Sequence, residues 1–224
     1  MLAGGLVAAV VLAAPAPAAA PVSAAATTPT AERRLACLSA ADVEAIRDRP
    51  RHLRAVLRDC RRELARKVPF ARPGIERQAV LASLVAYGMA PYGTSYALAL
   101  RPLLRAEFMS CGNYGWLTFH LVRAAWGEKR ALKLWQAGWD HGAVGNHAQV
   151  HVGRLLLDPT VALVARVRYR DLRDGARARD IVAFPHRADI ADFQARVVDA
   201  LANGRYRRED VLYTYTYANW RQYR

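Results

Sequence analysis

The chain has 224 residues, 53% of them apolar, and a formal charge of +14 at neutral pH. That length holds one domain with a sizeable core and excludes two full ones. The first thirty residues carry no charged side chain, so the whole positive excess falls on the remainder. This basic body attracts anionic surfaces such as wall polymers or acidic lipid headgroups.

Leu2 to Ala13 is a short apolar run, and Ala14 to Thr30 is an Ala/Pro/Ser/Thr stretch with small residues around Ala18 to Ala26. Residues 1–30 therefore read as a signal peptide and loose linker, although the Lys or Arg that usually precedes the apolar run is missing. Pro15, Pro17 and Pro21 interrupt that run well short of the roughly 20 residues a bilayer-crossing helix needs. A secreted or cell-envelope location is expected, which makes disulfides available. Three cysteines follow: Cys37, Cys60 and Cys111. Cys37 and Cys60 flank two helical segments and can pair, leaving Cys111 as the odd thiol.

Residues 31–92 read as an N-terminal helical region. Ser39 offers an N-cap, and Val43, Ile46, Leu53, Val56, Leu57 and Leu64 recur at helical intervals broken at Pro50, predicting helices over 40–48 and 51–67. A dense arginine run accompanies them, from Arg47 to Arg66. No stacking motif of nucleic-acid binders is interleaved with these charges, so nucleic acid is not an expected partner. A third helix is predicted from Ile75 to Tyr87 and a fourth from Ser95 to Glu107, bent or restarted by Pro102.

Residues 93–224 carry the sharper pattern. Ser110 is an N-cap for a nearly all-apolar helix that stops at Gly127 and should form the buried centre of the domain. Beyond it the period changes to two, over 131–136, His147 to Val152 and Leu155 to Asp158, with a further strand from Val161 to Arg168. A helix from Ala188 to Leu201 follows, and Tyr213, Tyr215 and Tyr217 alternate like an edge strand. Helices first and an antiparallel sheet afterwards predict an α+β fold.

Cys111, His147 and Asp158 stand out as a nucleophile, a base and an orienting carboxylate in that order. The first turn of a helix offers free N–H groups and partial positive charge, which favour thiolate and can stabilise an oxyanion. The sequence names no second oxyanion donor. On a strand over 147–152, His147, Gln149 and His151 share one face. If Gly153 and Arg154 form a two-residue turn with glycine first, Asp158 lies opposite Gln149 on that same face. Asp158 is then a diagonal neighbour of both His147 and His151, roughly 7–8 Å from each at the backbone, so spacing does not choose between them. A three-residue loop would move Asp158 to the other face. Metal-ligand spacings and glycine-rich phosphate loops are absent, and no cofactor is expected.

The segment from Ser95 to Val164 resembles the transglutaminase-like superfamily, whose core has a papain-like arrangement. The matching residues are Cys111-Gly112 opening the helix, His147-Ala148-Gln149-Val150-His151-Val152 on a strand, and Leu157-Asp158-Pro159-Thr160 ending the next. The resemblance implies a papain/transglutaminase-like core, with a central Cys-bearing helix packed on an antiparallel sheet carrying His and Asp. It also implies that His147 is the base, that Asp158 orients it, and that reaction passes through a thioester. Gln149 and His151 depart from the family's usual residues and are expected to reshape the acyl pocket. The Ca-binding loops and extra β-domains of animal transglutaminases have no room here, and the secreted microbial cross-linking enzyme places its aspartate before its histidine. The resulting expectation is an exported thiol enzyme that cleaves or transfers the acyl group of a peptide or protein amide, hydrolysis being favoured. The alternative is a non-catalytic binding module anchored by its basic surface to an anionic cell-wall or membrane partner.

Overall fold

The computed structural model describes residues 35–142 and 144–220; the predicted signal peptide and linker lie outside the described residues. The fold is mixed α+β. Its sheet contains β1 (Leu134–His141), β2 (Gly145–Val152), β3 (Leu155–Asp158), β4 (Leu163–Arg166), β5 (Ile181–Ala183) and β6 (Val211–Thr216). All neighbours are antiparallel, in the order β5-β4-β3-β2-β1-β6. Tyr213 and Tyr215 lie in β6, the edge strand beside β1, whose residues alternate in exposure, whereas Tyr217, expected on the same strand, begins a short helix (Tyr217–Trp220). No local pattern marks strand β5, because three residues are too few to display a period.

The helices before the sheet are α1 (Ala40–Asp48), α2 (Leu53–Lys67), α3 (Ile75–Met89), α4 (Leu100–Leu104), α5 (Cys111–Trp126) and α6 (Glu128–Ala131). A capping box starts α1: the Ser39 hydroxyl accepts the Asp42 N–H at 3.1 Å, and the Asp42 carboxylate accepts the Ser39 N–H at 2.9 Å. In α2, Leu53, Val56, Cys60 and Leu64 form the buried stripe and the arginines face outward. Helix α3 is buried around most of its circumference, as its run of Ala, Val and Leu requires.

The predicted helix over 95–107 is corrected to a short α4 preceded by extended chain. Side chains of α5 claim the backbone that such a helix would need: Asn113 Nδ2 donates to the Ala97 carbonyl at 2.5 Å, and His120 Nε2 lies 2.9 Å from the Leu98 carbonyl. The alternation over 131–136 is partly helical as well, with β1 beginning at Leu134.

Two apolar clusters sandwich the sheet. On one face, Val80 and Val85 of α3 and Leu117 and Leu121 of α5 pack against Val150, Val152, Leu155 and Leu157, and the same cluster includes Ile46 of α1 and Leu53 and Leu64 of α2. On the other, Trp139, Leu156, Leu163 and Ala165 meet Ile190, Val197 and Leu201 from the region of α8 (Ala191–Ala202), together with Leu172 of α7 (Tyr169–Arg173).

Cys37 and Cys60 form a disulfide across 23 residues, with Cys60 fully buried. It closes a loop that the unfolded chain would otherwise leave open. Replacing both cysteines by alanine is expected to lower unfolding stability by about 3 kcal/mol, seen as a lower urea midpoint. An unchanged midpoint would show that α1 and α2 are held by packing alone.

Candidate active site

The thiol is placed by the start of α5. Ser110 and Asn113 make a second capping box, in which the Ser110 hydroxyl takes the Asn113 N–H and Asn113 Oδ1 takes the Ser110 N–H at 3.0 Å. Cys111 is therefore the first helical residue, and it is half-buried. The helix lies close on the sheet because Gly115 has no side chain: a Cβ there would stand 2.0 Å from Gln136 Oε1 of β1. Gln136 is itself buried beneath the first turn, and its Nε2 donates to the Tyr213 hydroxyl at 3.2 Å.

His147 and Asp158 are placed by the β2–β3 hairpin. Val150 pairs with Leu157, His151 with Leu156 and Val152 with Leu155. This is the register of a two-residue turn at Gly153-Arg154, and Gly153 has φ +59°. Asp158 thus shares the histidine face, as parity predicted. His147 Nε2 lies 2.6 Å from Asp158 Oδ2, with both side chains essentially inaccessible. Gln149 Nε2 donates to the same oxygen at 3.0 Å and to the Tyr206 hydroxyl at 3.1 Å. The Thr160 N–H donates to Asp158 Oδ1 at 3.2 Å. The carboxylate is thereby held at both oxygens.

A carboxylate only accepts, so Nε2 of His147 carries the hydrogen and the neutral ring keeps its lone pair on Nδ1. Nδ1 is buried and forms no aligned hydrogen bond among the described residues. The Cys111 sulfur is nevertheless coupled to this imidazole and to the Ala148 N–H. Burial opposes thiolate, but His147 and Ala148 outweigh it and hold the Cys111 thiol below its ordinary value. Burial likewise opposes charge on His147, yet the Asp158 carboxylate, with a further contribution from Cys111, pushes the imidazole up to about 10. The phenyl ring of Phe193 meets the His147 ring edge-on at 4.8 Å.

His151 is resolved to a different role. Its ring stacks on Trp135 at 4.5 Å, with Tyr169 at 5.4 Å, and burial pushes its pKa down to about 3. It stays neutral in the second cluster's aromatic layer. Gln149 holds the Asp158 carboxylate through Nε2, because residues 147, 149 and 158 share a face.

Gln149 was visible by parity as a neighbour of Asp158. Tyr206 and Phe193 carried no local signal, since they arrive from distant segments. Gln136 and Tyr213 lay on readable strands, but only the pairing of Gly138 with Tyr213 brings the phenol over β1: a Cβ on Gly138 would meet the Tyr213 ring at 2.3 Å. Burial raises the Tyr213 pKa, keeping its O–H intact at neutral pH. Among the described residues, no group of three or more His, Cys, Asp or Glu is arranged to hold a metal ion. No protein-family model, curated protein or solved structure matches the chain.

Proposed function

We propose that the protein is an exported, thiol-dependent acyl-transfer enzyme with a transglutaminase-like core, acting on peptide or protein amides. The observation that carries this reading is the short His147–Asp158 contact, which leaves the opposite ring nitrogen for a thiol with a depressed pKa. Cys111 thiolate attacks the amide carbonyl and forms a C–S bond. As the tetrahedral adduct collapses, imidazolium Nδ1 passes its proton to the departing amine, leaving a thioester. Water then attacks the thioester, giving one proton to His147 and releasing a carboxylic acid and the Cys111 thiolate, which restores the starting thiolate–imidazolium pair; an amine in place of water gives a new amide.

The adduct's oxyanion has donors at hand. The N–H groups of Cys111 and Gly112 have no acceptor one turn back in α5. Tyr213 accepts from Gln136, so its own hydrogen remains free to donate. The rim bears exposed apolar groups on the chain leading to Ser110, namely Tyr92, Tyr96, Leu98 and Phe108. They favour substrates with apolar side chains beside the reacting amide.

Export is supported by the disulfide, which persists in oxidising compartments. No helix among the described residues is long and apolar enough to cross a membrane.

Acid-quenched mass spectrometry after exposure to a panel of peptide p-nitroanilides tests the proposal. Acyl adducts on Cys111, absent from Cys111→Ala, are expected. A thiol that alkylates readily with iodoacetamide yet never carries an acyl group would overturn it.

A further inference from the structure

We infer that the arginine-lined end of the molecule opposite the thiol binds a linear phosphate-bearing polymer without nucleobases. Two clefts lie there. One, of about 590 Å³, is bounded by Arg54, Arg58 and Arg61 on one face of α2, by Arg77 of α3, and by Trp126 at the end of α5. The other, of about 420 Å³, is bounded by Arg154, Arg166, Arg168, Arg177 and Arg179, with Asp171 as its acidic member.

Their position follows from the fold. Helix α5 runs from Cys111 to Trp126, which separates the first cleft from the thiol by about 20 Å of helix. The Gly153-Arg154 turn is likewise at the far end of the hairpin from His147 and Asp158. The clefts adjoin through the segment before and at the start of α3. Arg154 Nη2 donates to the Phe70 carbonyl at 2.7 Å and lies near Glu76, while Pro73, Gly74 and Arg77 line the other cleft.

Most of this charge is uncompensated. Arg166 is paired with Asp180 and Arg154 lies 3.9 Å from Glu76, but among the described residues Arg54, Arg58, Arg61, Arg77, Arg168, Arg177 and Arg179 form no ion pair. Guanidinium forks match phosphate oxygens two at a time. Two such clefts on one end fit a ligand with repeating charge better than a single small anion. Their concave, charge-lined form argues against insertion into a lipid surface. A single aromatic in the lining, Trp126, argues against a run of stacked bases.

This inference does not depend on the acyl-transfer reading. Titration calorimetry of the protein with linear inorganic polyphosphate tests it. Binding is expected to weaken steeply with salt, and about tenfold in each of Arg58→Glu/Arg61→Glu and Arg177→Glu/Arg179→Glu. The same reversal at Arg101 and Arg105, on α4 and just beyond it, should change affinity less than twofold. Cys111 alkylation at the wild-type rate reports that each variant is folded. Equal loss in the control pair would reduce the effect to net charge and overturn the site, as would indifference to reversal in either cleft. Tighter, cleft-dependent binding of a DNA oligonucleotide of equal charge, or of phosphatidylglycerol vesicles, would replace the proposed ligand with those classes.

Discussion

Asp158→Ala is expected to destabilise the fold by about 3–5 kcal/mol and to abolish thiol activation. The side chain is fully inaccessible and accepts from His147, Gln149 and Thr160. Alanine leaves three buried donors without an acceptor and removes the charge that holds a proton on His147. Asp158→Asn separates the two effects. It preserves volume and one acceptor, so most stability should remain. It can also present an NH₂ group to Nε2, turning the ring to the tautomer that has no lone pair for the thiol. The acyl transfer proposed for this site should then fall about 10³–10⁴-fold, by analogy with the serine-protease aspartate. Chemical denaturation and single-turnover kinetics read the two quantities. A loss under 1 kcal/mol in the alanine variant would mean that the carboxylate is solvated and the triad does not exist in solution.

The second large effect concerns His147→Ala. In the wild type, Cys111 should alkylate with iodoacetamide well below pH 8. Without the imidazole, burial is the dominant influence on the thiol and raises its pKa. At pH 6.5 the alkylation rate should fall about 100-fold, with the pH profile displaced to the alkaline side. An unaltered profile would show that the thiol owes nothing to this ring.

The same pair shapes stability against pH. His147 has a folded pKa above its unfolded value of about 6.5, so its contribution is complete below pH 6.5 and is lost as pH rises toward about 10. Cys111 has a depressed folded pKa, so its contribution is present above the unfolded thiol value and is lost as pH falls. The two oppose one another in the wild type. Cys111→Ser removes the opposing thiol and only the smaller part of the upward push on His147, since Asp158 supplies the larger part, so its stability should decline more clearly above pH 6.5.

The legible part of the site was its backbone arithmetic. A Gly-first turn between two alternating strands specified the hairpin register, and with it the side of the sheet on which Asp158 appears. Ser110 ahead of an apolar run specified where the thiol enters its helix. The choice between His147 and His151 was not legible, because both are diagonal to Asp158. It was decided by Trp135, which pairs across from His151 and takes its ring by stacking. The failed helix over 95–107 has a similar cause. Its local pattern was helical, but polar side chains on α5 offered its carbonyls better partners. Tyr206 and Phe193 belong to contacts between segments far apart in the chain, where local periodicity carries no information.

The apolar cluster that joins α1, α2 and α3 to α5 bears on how the molecule matures. Val80 and Val85 are wholly enclosed, and they cover the same side of α5 that Leu117 and Leu121 present. Cutting the chain after residue 92 and releasing what precedes it would expose that side to water. The leading helices are therefore structural members of the working protein, and limited proteolysis there should end its life instead of switching it on.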